Sequence, residues 1–240
     1  GSLSAQSAGS NYARQVNTLI GTKGVGLTSG YLYPGATYPY GMVQFTPSYF
    51  SKRSGFVINQ LSGGGCEHMG NFPTFPVKGK LKMSPDNILN YRINISEEKG
   101  HAGYYEAMVQ EDIKAKLTVT ERTGMASYEY PADQQYGTII IGGGISATPI
   151  EQAAIVITAP NKCEGYAERG NFCGLRTPYK VYFVAEFDTD ALESGTWKRD
   201  ELKPNTTFAE GEYSGVYFTF DVNKKKNIQY KIGVSYVSVE

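Results

Sequence analysis

The sequence predicts an all-β protein, folded as an antiparallel β-sandwich with long ordered loops. Apolar and polar residues alternate with a period of two in six segments: 104–109, 113–120, 126–130, 179–187, 216–222 and 228–238. This alternation is typical of strands with one buried face. Strong helical periodicity is missing, so the apolar face of each strand needs a second sheet to cover it.

The segment TIIIGGG at 138–144 has a different pattern, because it is apolar without interruption and ends in three glycines. We expect it to form a strand that is buried on both faces. The composition agrees with a turn-rich β protein, since the chain contains 28 glycines and 19 tyrosines. At 240 residues one sandwich core is sufficient, and residues 11–240 are expected to form a single domain.

The region 16–76 shows almost no alternation and is punctuated by prolines and short aromatic runs. It is predicted to consist of long ordered loops, which in compact domains tend to carry function. Residues 1–10 contain no apolar signal-peptide core, and Gly1 is interpreted as the remnant of a removed tag. These ten residues are therefore left out of the fold prediction as a flexible N-terminus.

The charge balance argues against nucleic acid as a partner, because 23 basic residues face 23 acidic ones. No apolar run approaches the length of a membrane span. The three cysteines leave one thiol free if two of them pair. Cys163 and Cys173 flank a predicted short hairpin and could be bridged if the register is favourable, or all three could be reduced.

The glycine loop, Gln60 to His68, contains the strongest local motif, SGGGC at 62–66. Three successive glycines permit positive φ and leave no side chain in the way of a ligand, but they also suit a tight turn. A phosphate-binding loop is excluded because no Gly-Lys-Ser/Thr ending and no helix follow. His68 could bond a sugar hydroxyl or a backbone carbonyl, and neither histidine has a partner at zinc-site spacing.

Several motifs together resemble one enzyme family: VNTLIGT, YPGATYPYGMVQFTP and GFVINQLSGGGCEHMG between Val16 and Gly70, followed by matches at 100–131, 171–174, 179–188 and 230–240. They are similar to the amino-terminal part of the family 92 glycoside hydrolases, which are calcium-dependent exo-acting α-mannosidases. The resemblance implies a supersandwich of the galactose-mutarotase-like type. It also implies a secreted bacterial enzyme, periplasmic or on the outer surface, that acts on mannose-containing glycans.

In that family this sandwich is the smaller of two domains, and the resemblance places the catalytic carboxylates and the Ca²⁺ ligands in a helical domain beyond Glu240. The chain by itself is thus expected to be inactive, with no catalytic residue and no metal ligand of its own. Its partners would be that carboxy-terminal domain and the glycan. The alternatives are a free-standing carbohydrate-binding module or a structural interaction domain.

The resemblance also places the glycine loop on the face that meets the catalytic domain. We expect it to lie beside the PGAT segment, Pro34 to Thr37, and to form a wall of the substrate pocket. The expected contact residues are Gln60, Ser62, Gly63, Gly64, Gly65, Cys66, Glu67, His68, Gly35, Ala36 and Thr37. Relatives often carry His at the position of Gln60 and Asp at that of Asn71. The motif cysteines, Cys66 and Cys173, form an alternative disulfide pair.

Glycoside hydrolysis needs two carboxyl groups, one to protonate the leaving oxygen and one to act as nucleophile or to activate water. The candidates in this chain are Glu67, Asp86, Glu121, Asp188 and Asp190. Glu121 and Asp188 are expected in strand segments, where hydrogen-bonded networks of the sheet and its turns would occupy them. No complete catalytic pair is predicted within the chain.

Overall fold

The computed structural model describes residues 12–22, 32–48, 55–63, 69–86, 94–146, 149–168 and 178–240. Within these residues it contains one 3₁₀ turn, Tyr12–Gln15, and seventeen strands. The strands are β1 (Ala36–Thr37), β2 (Gln44–Pro47), β3 (Phe56–Val57), β4 (Thr74–Lys78), β5 (Ile95–His101), β6 (Tyr104–Val109), β7 (Ile113–Val119), β8 (Thr123–Glu129), β9 (Tyr136–Gly142), β10 (Gln152–Ala159), β11 (Lys162–Glu168), β12 (Lys180–Phe187), β13 (Glu193–Lys198), β14 (Glu201–Pro204), β15 (Phe208–Glu210), β16 (Ser214–Asp221) and β17 (Asn227–Ser235).

The strands form two antiparallel sheets, which confirms the predicted fold class. The first sheet has eight strands in the order β1-β2-β3-β4-β9-β16-β13-β14. The second has nine strands in the order β15-β10-β11-β12-β17-β8-β7-β6-β5. No helix among the described residues is long and apolar enough to span a membrane.

All six alternating segments form strands close to their predicted bounds, namely β6, β7, β8, β12, β16 and β17. The pattern missed β1 to β5, β10, β11 and β13 to β15. The region 16–76, predicted to consist of loops, thus contains β1, β2, β3 and the start of β4, which are too short to show alternation in the sequence. In β11 the inward residues are Cys163, Gly165 and Ala167, all of which are buried. Small residues give little contrast in hydrophobicity, so this alternation is weak in the sequence.

The antiparallel pairing of β11 and β12 agrees with the predicted hairpin, but the register that would bring Cys163 close to Cys173 is wrong. Cys163 lies within β11 directly opposite Ala185 of β12, and the chain reverses only between the end of β11 and the start of β12. Cys163 is a buried free thiol, and burial raises its pKa above that of an exposed cysteine. The bridge from Cys163 to Cys173 is therefore not formed. Cys66 and Cys173 lie outside the described residues.

The apolar run at 138–144 lies mostly in β9, and β9 is buried on both faces as predicted. Six of its seven residues are buried. Ile139 pairs with Phe218, whereas the next residue, Ile140, pairs with Tyr217 and Phe75 on the opposite face. All of these side chains are at most 5% exposed, so the first sheet is covered on its outer side as well.

The space between the two sheets is filled largely by aromatic rings. Phe187 of the second sheet lies 4.8 Å from Phe218 and 5.1 Å from Phe220 of the first, measured between ring centroids. The ring of Tyr230 lies 5.3 Å from Phe187 within the second sheet. Tilted rings at these separations bury a large apolar area, and the quadrupoles of the rings add a favourable contact.

A cluster of three buried hydroxyl groups crosses this aromatic layer. Tyr230 donates to Oγ1 of Thr74 at 2.5 Å, and the same oxygen lies 3.0 Å from the Tyr128 hydroxyl. The two tyrosine hydroxyls lie 3.3 Å apart. Because Thr74 belongs to the first sheet and both tyrosines to the second, these hydrogen bonds join the sheets in a region without access to water.

Replacing Tyr230 by phenylalanine removes the hydroxyl that donates to Thr74 and leaves the ring in place. We expect Tyr230→Phe to lower the free energy of unfolding by about 1–2 kcal/mol, because a buried acceptor loses its donor. Urea denaturation measures the change. Tyr38→Phe, at a ring that is 49% exposed, is the control and should change stability far less. Equal effects of the two variants would contradict the assignment.

Burial raises the pKa of Tyr128 above the ordinary value of 10.0 and those of Tyr130 and Tyr230 well above it. Below that ordinary value both folded and unfolded states keep these protons, and stability is unaffected. Above it the unfolded chain releases them while the folded chain retains them, so stability falls by about 1.4 kcal/mol per pH unit for each tyrosine.

We therefore expect cooperative alkaline unfolding, accompanied by a sudden rise in tyrosinate absorbance. Urea midpoints measured at increasing pH test this expectation. A smooth titration of all tyrosines, with the folded state retained, would contradict it.

Candidate functional site

Two asparagines hold the base of the glycine loop. Asn59 precedes the loop and Asn71 follows it, and both are buried, with exposures of 2% and 0%. The backbone N–H of Asn71 donates to Oδ1 of Asn59 at 2.7 Å, and Nδ2 of Asn59 donates to Oδ1 of Asn71 at 2.9 Å. This reciprocal pair fixes the two ends of the loop against each other.

Two tyrosines extend this polar cluster. The Tyr179 hydroxyl, just before β12, donates to Oδ1 of Asn71 at 2.8 Å. Tyr236, just after β17, is hydrogen-bonded to Asn59, and the two tyrosine rings meet edge to face with centroids 6.5 Å apart. Burial raises the pKa of both hydroxyls, so both remain protonated at neutral pH.

Ser62 joins the start of the glycine loop to the segment that leads into PGAT. Its Oγ accepts a hydrogen bond from the backbone N–H of Tyr33 at 3.3 Å and another from Nε2 of Gln44 at 2.6 Å. The glycine loop and the PGAT segment therefore lie side by side in their described parts. The sequence predicted this from the family resemblance and from the glycine content and missing strand alternation of both segments.

Gly35 sits where two backbone segments approach each other closely. Its N–H donates to Oγ1 of Thr46 at 3.1 Å. A Cβ atom at this position would overlap the carbonyl oxygen of Phe45 and the Cα and Cβ atoms of Thr46. Only glycine fits here, so packing by itself accounts for this residue, and its contact with a ligand stays a prediction.

The described site residues differ in their exposure. Ser62, Gly63 and Thr37 are exposed, whereas Gln60 and Ala36 are fully buried. Ala36 and Thr37 were expected in a loop but form β1, which pairs with β2. The remaining predicted contact residues lie outside the described residues: Gly64, Gly65, Cys66, Glu67 and His68.

Large apolar side chains are exposed on these two segments and directly after β17. This apolar rim consists of Leu32, Tyr38, Leu61, Tyr236 and Val237, with exposures from 38% to 85%. Leu32 and Leu61 adjoin the two residues, Tyr33 and Ser62, whose hydrogen bond joins the segments. An apolar surface of this kind is typical of a site that another protein surface covers.

Two of the candidate acidic residues, Asp188 and Glu121, take part in contacts that hold the sheets and turns together. Asp188 accepts a hydrogen bond from the Gln229 N–H at 3.2 Å and forms an ion pair with Lys225 at 2.8 Å. Glu121 lies in the turn between β7 and β8, where its carbonyl oxygen accepts from the Met42 N–H at 2.7 Å. The prediction that both residues lie within strands is therefore wrong, because both lie just outside them. Glu67 is outside the described residues.

The two remaining candidate carboxylates also lie outside strands. The backbone N–H of Asp86 donates to Oγ of Ser84 at 3.3 Å, and Asp190 is an exposed residue between β12 and β13. Among the residues that the structure describes, no group of three or more His, Cys, Asp or Glu side chains converges on a point where it could hold a metal ion.

Sequence reasoning missed the residues that hold the loop, namely Asn59, Tyr179 and Tyr236. Asn71 was noted only because relatives often carry aspartate there. A weak signal did exist, since two asparagines flank the glycine loop in an otherwise apolar stretch. Tyr179 and Tyr236 are far from the loop in sequence, so only the folded chain brings them to it.

Solved structures of family 92 mannosidases share this fold. An α-mannosidase from Bacteroides thetaiotaomicron superimposes with a TM-score of 0.80 at 24% identity, covering 96% of this chain and 34% of the other. An inverting mannosidase from the same organism gives 0.73 at 21% identity, covering 95% and 32%. The chain therefore spans about a third of the length of these enzymes.

A secreted glycosidase of uncharacterised activity from the fungus Arthroderma benhamiae is 31% identical over 138 residues, which are 49% of this chain and 17% of the fungal protein. The sequence profile of the glycosyl hydrolase family 92 N-terminal domain matches residues 15–235, nearly the whole chain. The chain belongs to glycosyl hydrolase family 92, of which it carries the N-terminal domain.

Proposed function

We propose that this chain is the amino-terminal sandwich of an inverting exo-α-mannosidase and supplies one wall of the substrate pocket. Membership of family 92 supports a glycosidase. One structurally similar enzyme is an inverting mannosidase, and another α-mannosidase has been solved with mannoimidazole bound. The secreted fungal relative supports a secreted or periplasmic enzyme.

An inverting reaction requires one carboxylic acid to protonate the departing oxygen and one carboxylate to activate water. In our proposal a helical domain, the carboxy-terminal partner in the same polypeptide, supplies both groups. That domain would also bind Ca²⁺, which would orient the sugar and polarise its environment. The Asp188 carboxylate binds a neighbouring backbone N–H and a lysine, which suits a structural role.

The observation that carries the pocket-wall role is the conformation of Gly63. It has a φ of +75° and is exposed, and a Cβ atom built on it would meet no atom within 4 Å. A sugar ring could approach the backbone here without hindrance from a side chain. The neighbouring hydrogen bonds of Ser62 keep this backbone in place, so the wall would not need to be ordered again at each binding event.

The apolar rim supports the proposed contact with the helical domain. Leu61 belongs to the loop that would line the pocket and Leu32 adjoins the segment bonded to it, so one docking event would cover this apolar surface and complete the site. The isolated sandwich would then contribute shape and water exclusion but no proton transfer.

The chain 1–240 alone is expected to lack mannosidase activity, because both reacting carboxyl groups would come from the partner domain. Hydrolysis of an aryl α-mannoside by the purified chain, with and without Ca²⁺, tests this expectation, and the intact polypeptide is the positive control. Turnover by the isolated chain that survives removal of contaminating enzymes would refute the assignment of catalysis to the other domain.

Gly63→Asn in the intact enzyme tests the pocket wall directly. Asparagine tolerates a left-handed backbone better than most residues, and the open space accepts its side chain. If the loop lines the pocket, the added side chain should raise KM about tenfold or more, while the melting temperature changes little.

Gly79→Asn is the matched control for this variant. Gly79 has a φ of +76° and equally open surroundings, but it lies just beyond the far end of β4 from the glycine loop. It should leave KM unchanged. Equal kinetics for the two variants would rule out a pocket role for Gly63.

A further inference from the structure

We propose that the Asn59–Asn71 pair acts as a clamp that sets the position of the glycine loop, and that Tyr236 couples this asparagine clamp to the segment after β17. Asn59, Asn71 and Tyr236 are then positioning residues for substrate binding. The kinetic part of this inference rests on the proposed function. The structural part concerns only the loop and can be tested without any substrate.

The backbone ladder alone does not close this loop. Between β3 and β4 the register contains a single pair, Phe56 with Thr74. The bond from the Ile58 N–H to the Asn71 carbonyl is long, at 3.3 Å. The two reciprocal bonds of the clamp are shorter and have no access to water, where hydrogen bonds are electrostatically stronger. The clamp therefore supplies two short, buried polar connections between the two ends of the loop.

The segment that follows the loop, residues 69–72, has an unusual backbone conformation. Met69, Gly70 and Phe72 have φ values of +55°, +71° and +53°, so two residues with side chains adopt the left-handed region next to Asn71. Such residues are disfavoured and persist only where their surroundings enforce them. The clamp holds Asn71 between them, and the Phe72 ring lies 4.2 Å from that of Phe183.

Tyr236 connects the buried clamp to the surface. It is hydrogen-bonded to Asn59, its ring meets that of Tyr179, and 38% of it is exposed. Tyr179 in turn donates to Asn71, so both asparagines are held by tyrosines that touch each other. Val237, the next residue, is 85% exposed. Movement of this segment changes the geometry of the clamp through one hydrogen bond.

The expected consequence is a change in substrate affinity more than in the chemical step. The clamp contains no group that would reach the reacting atoms, but it determines where the exposed part of the loop, Ser62 and Gly63, is held. Loosening it should raise KM while kcat changes little, because the loop must be ordered again when the sugar binds.

The test compares Tyr236→Phe and Asn59→Ala with two control variants in the intact enzyme. Tyr130→Phe also removes a buried tyrosine hydroxyl, which donates to the Thr138 carbonyl at 3.1 Å. Thr138→Ala breaks a buried contact of 2.8 Å with the Thr219 hydroxyl. Both controls lie away from the glycine loop. Hydrogen exchange of the peptide covering 60–71, melting temperature and steady-state kinetics are measured for each variant.

Asn59→Ala removes both reciprocal hydrogen bonds of the clamp. We expect it to accelerate exchange in 60–71 and to raise KM, each by at least about tenfold. Tyr236→Phe should act in the same direction and more weakly. The controls should lower the melting temperature without affecting the loop or KM. A uniform rise in exchange over the domain, or loop exchange no faster than in the controls, would overturn the clamp.

The experiment distinguishes an error in the proposed function from an error in the clamp. If the intact enzyme does not hydrolyse or bind mannosides, the assignment of substrate is wrong, whereas the exchange measurement still supports or overturns the clamp by itself. If exchange changes as expected but KM does not, the kinetic part of the inference is refuted.

Discussion

The contact between the aromatic faces of the two sheets is the constraint on which the rest of the structure depends. Phe187 lies against Phe218 and Phe220 across the interface, and the hydroxyls of Tyr128 and Tyr230 reach Thr74 from the opposite sheet. Ring packing stabilises the contact between the sheets, and the hydrogen bonds of the hydroxyl cluster, which are directional, favour one relative alignment of the sheets. The sheets thus have a preferred alignment as well as a tendency to associate.

This alignment is what gives the loops a fixed support. The glycine loop joins β3 to β4, and Thr74 at the start of β4 belongs to the hydroxyl cluster. Asn71 precedes Thr74 by only three positions in the sequence. Rigidity of the sandwich is therefore passed to the loop over a short path, as expected for functional loops on a stable scaffold.

The strands with strong alternation could be predicted from sequence because their inward residues are large and their outward residues polar. The β11 strand could not, since Cys163, Gly165 and Ala167 give no contrast. The glycine loop and the PGAT segment were recognised from motifs. Their hydrogen bonds through Ser62 join residues distant in sequence, and no local pattern encodes such contacts. For the Asn59–Asn71 pair the sequence offers only the position of two asparagines on either side of the loop.

Cys163 gives the second sheet a chemical property that has no connection with glycan hydrolysis. Its thiol is fully buried in β11, and burial raises its pKa, so the reactive thiolate is scarce and shielded in the native protein. A thiol reagent can reach it only when β11 separates from its neighbours. The rate at which this sulfur atom is modified, followed separately from Cys66 and Cys173, would thus report how often the second sheet opens.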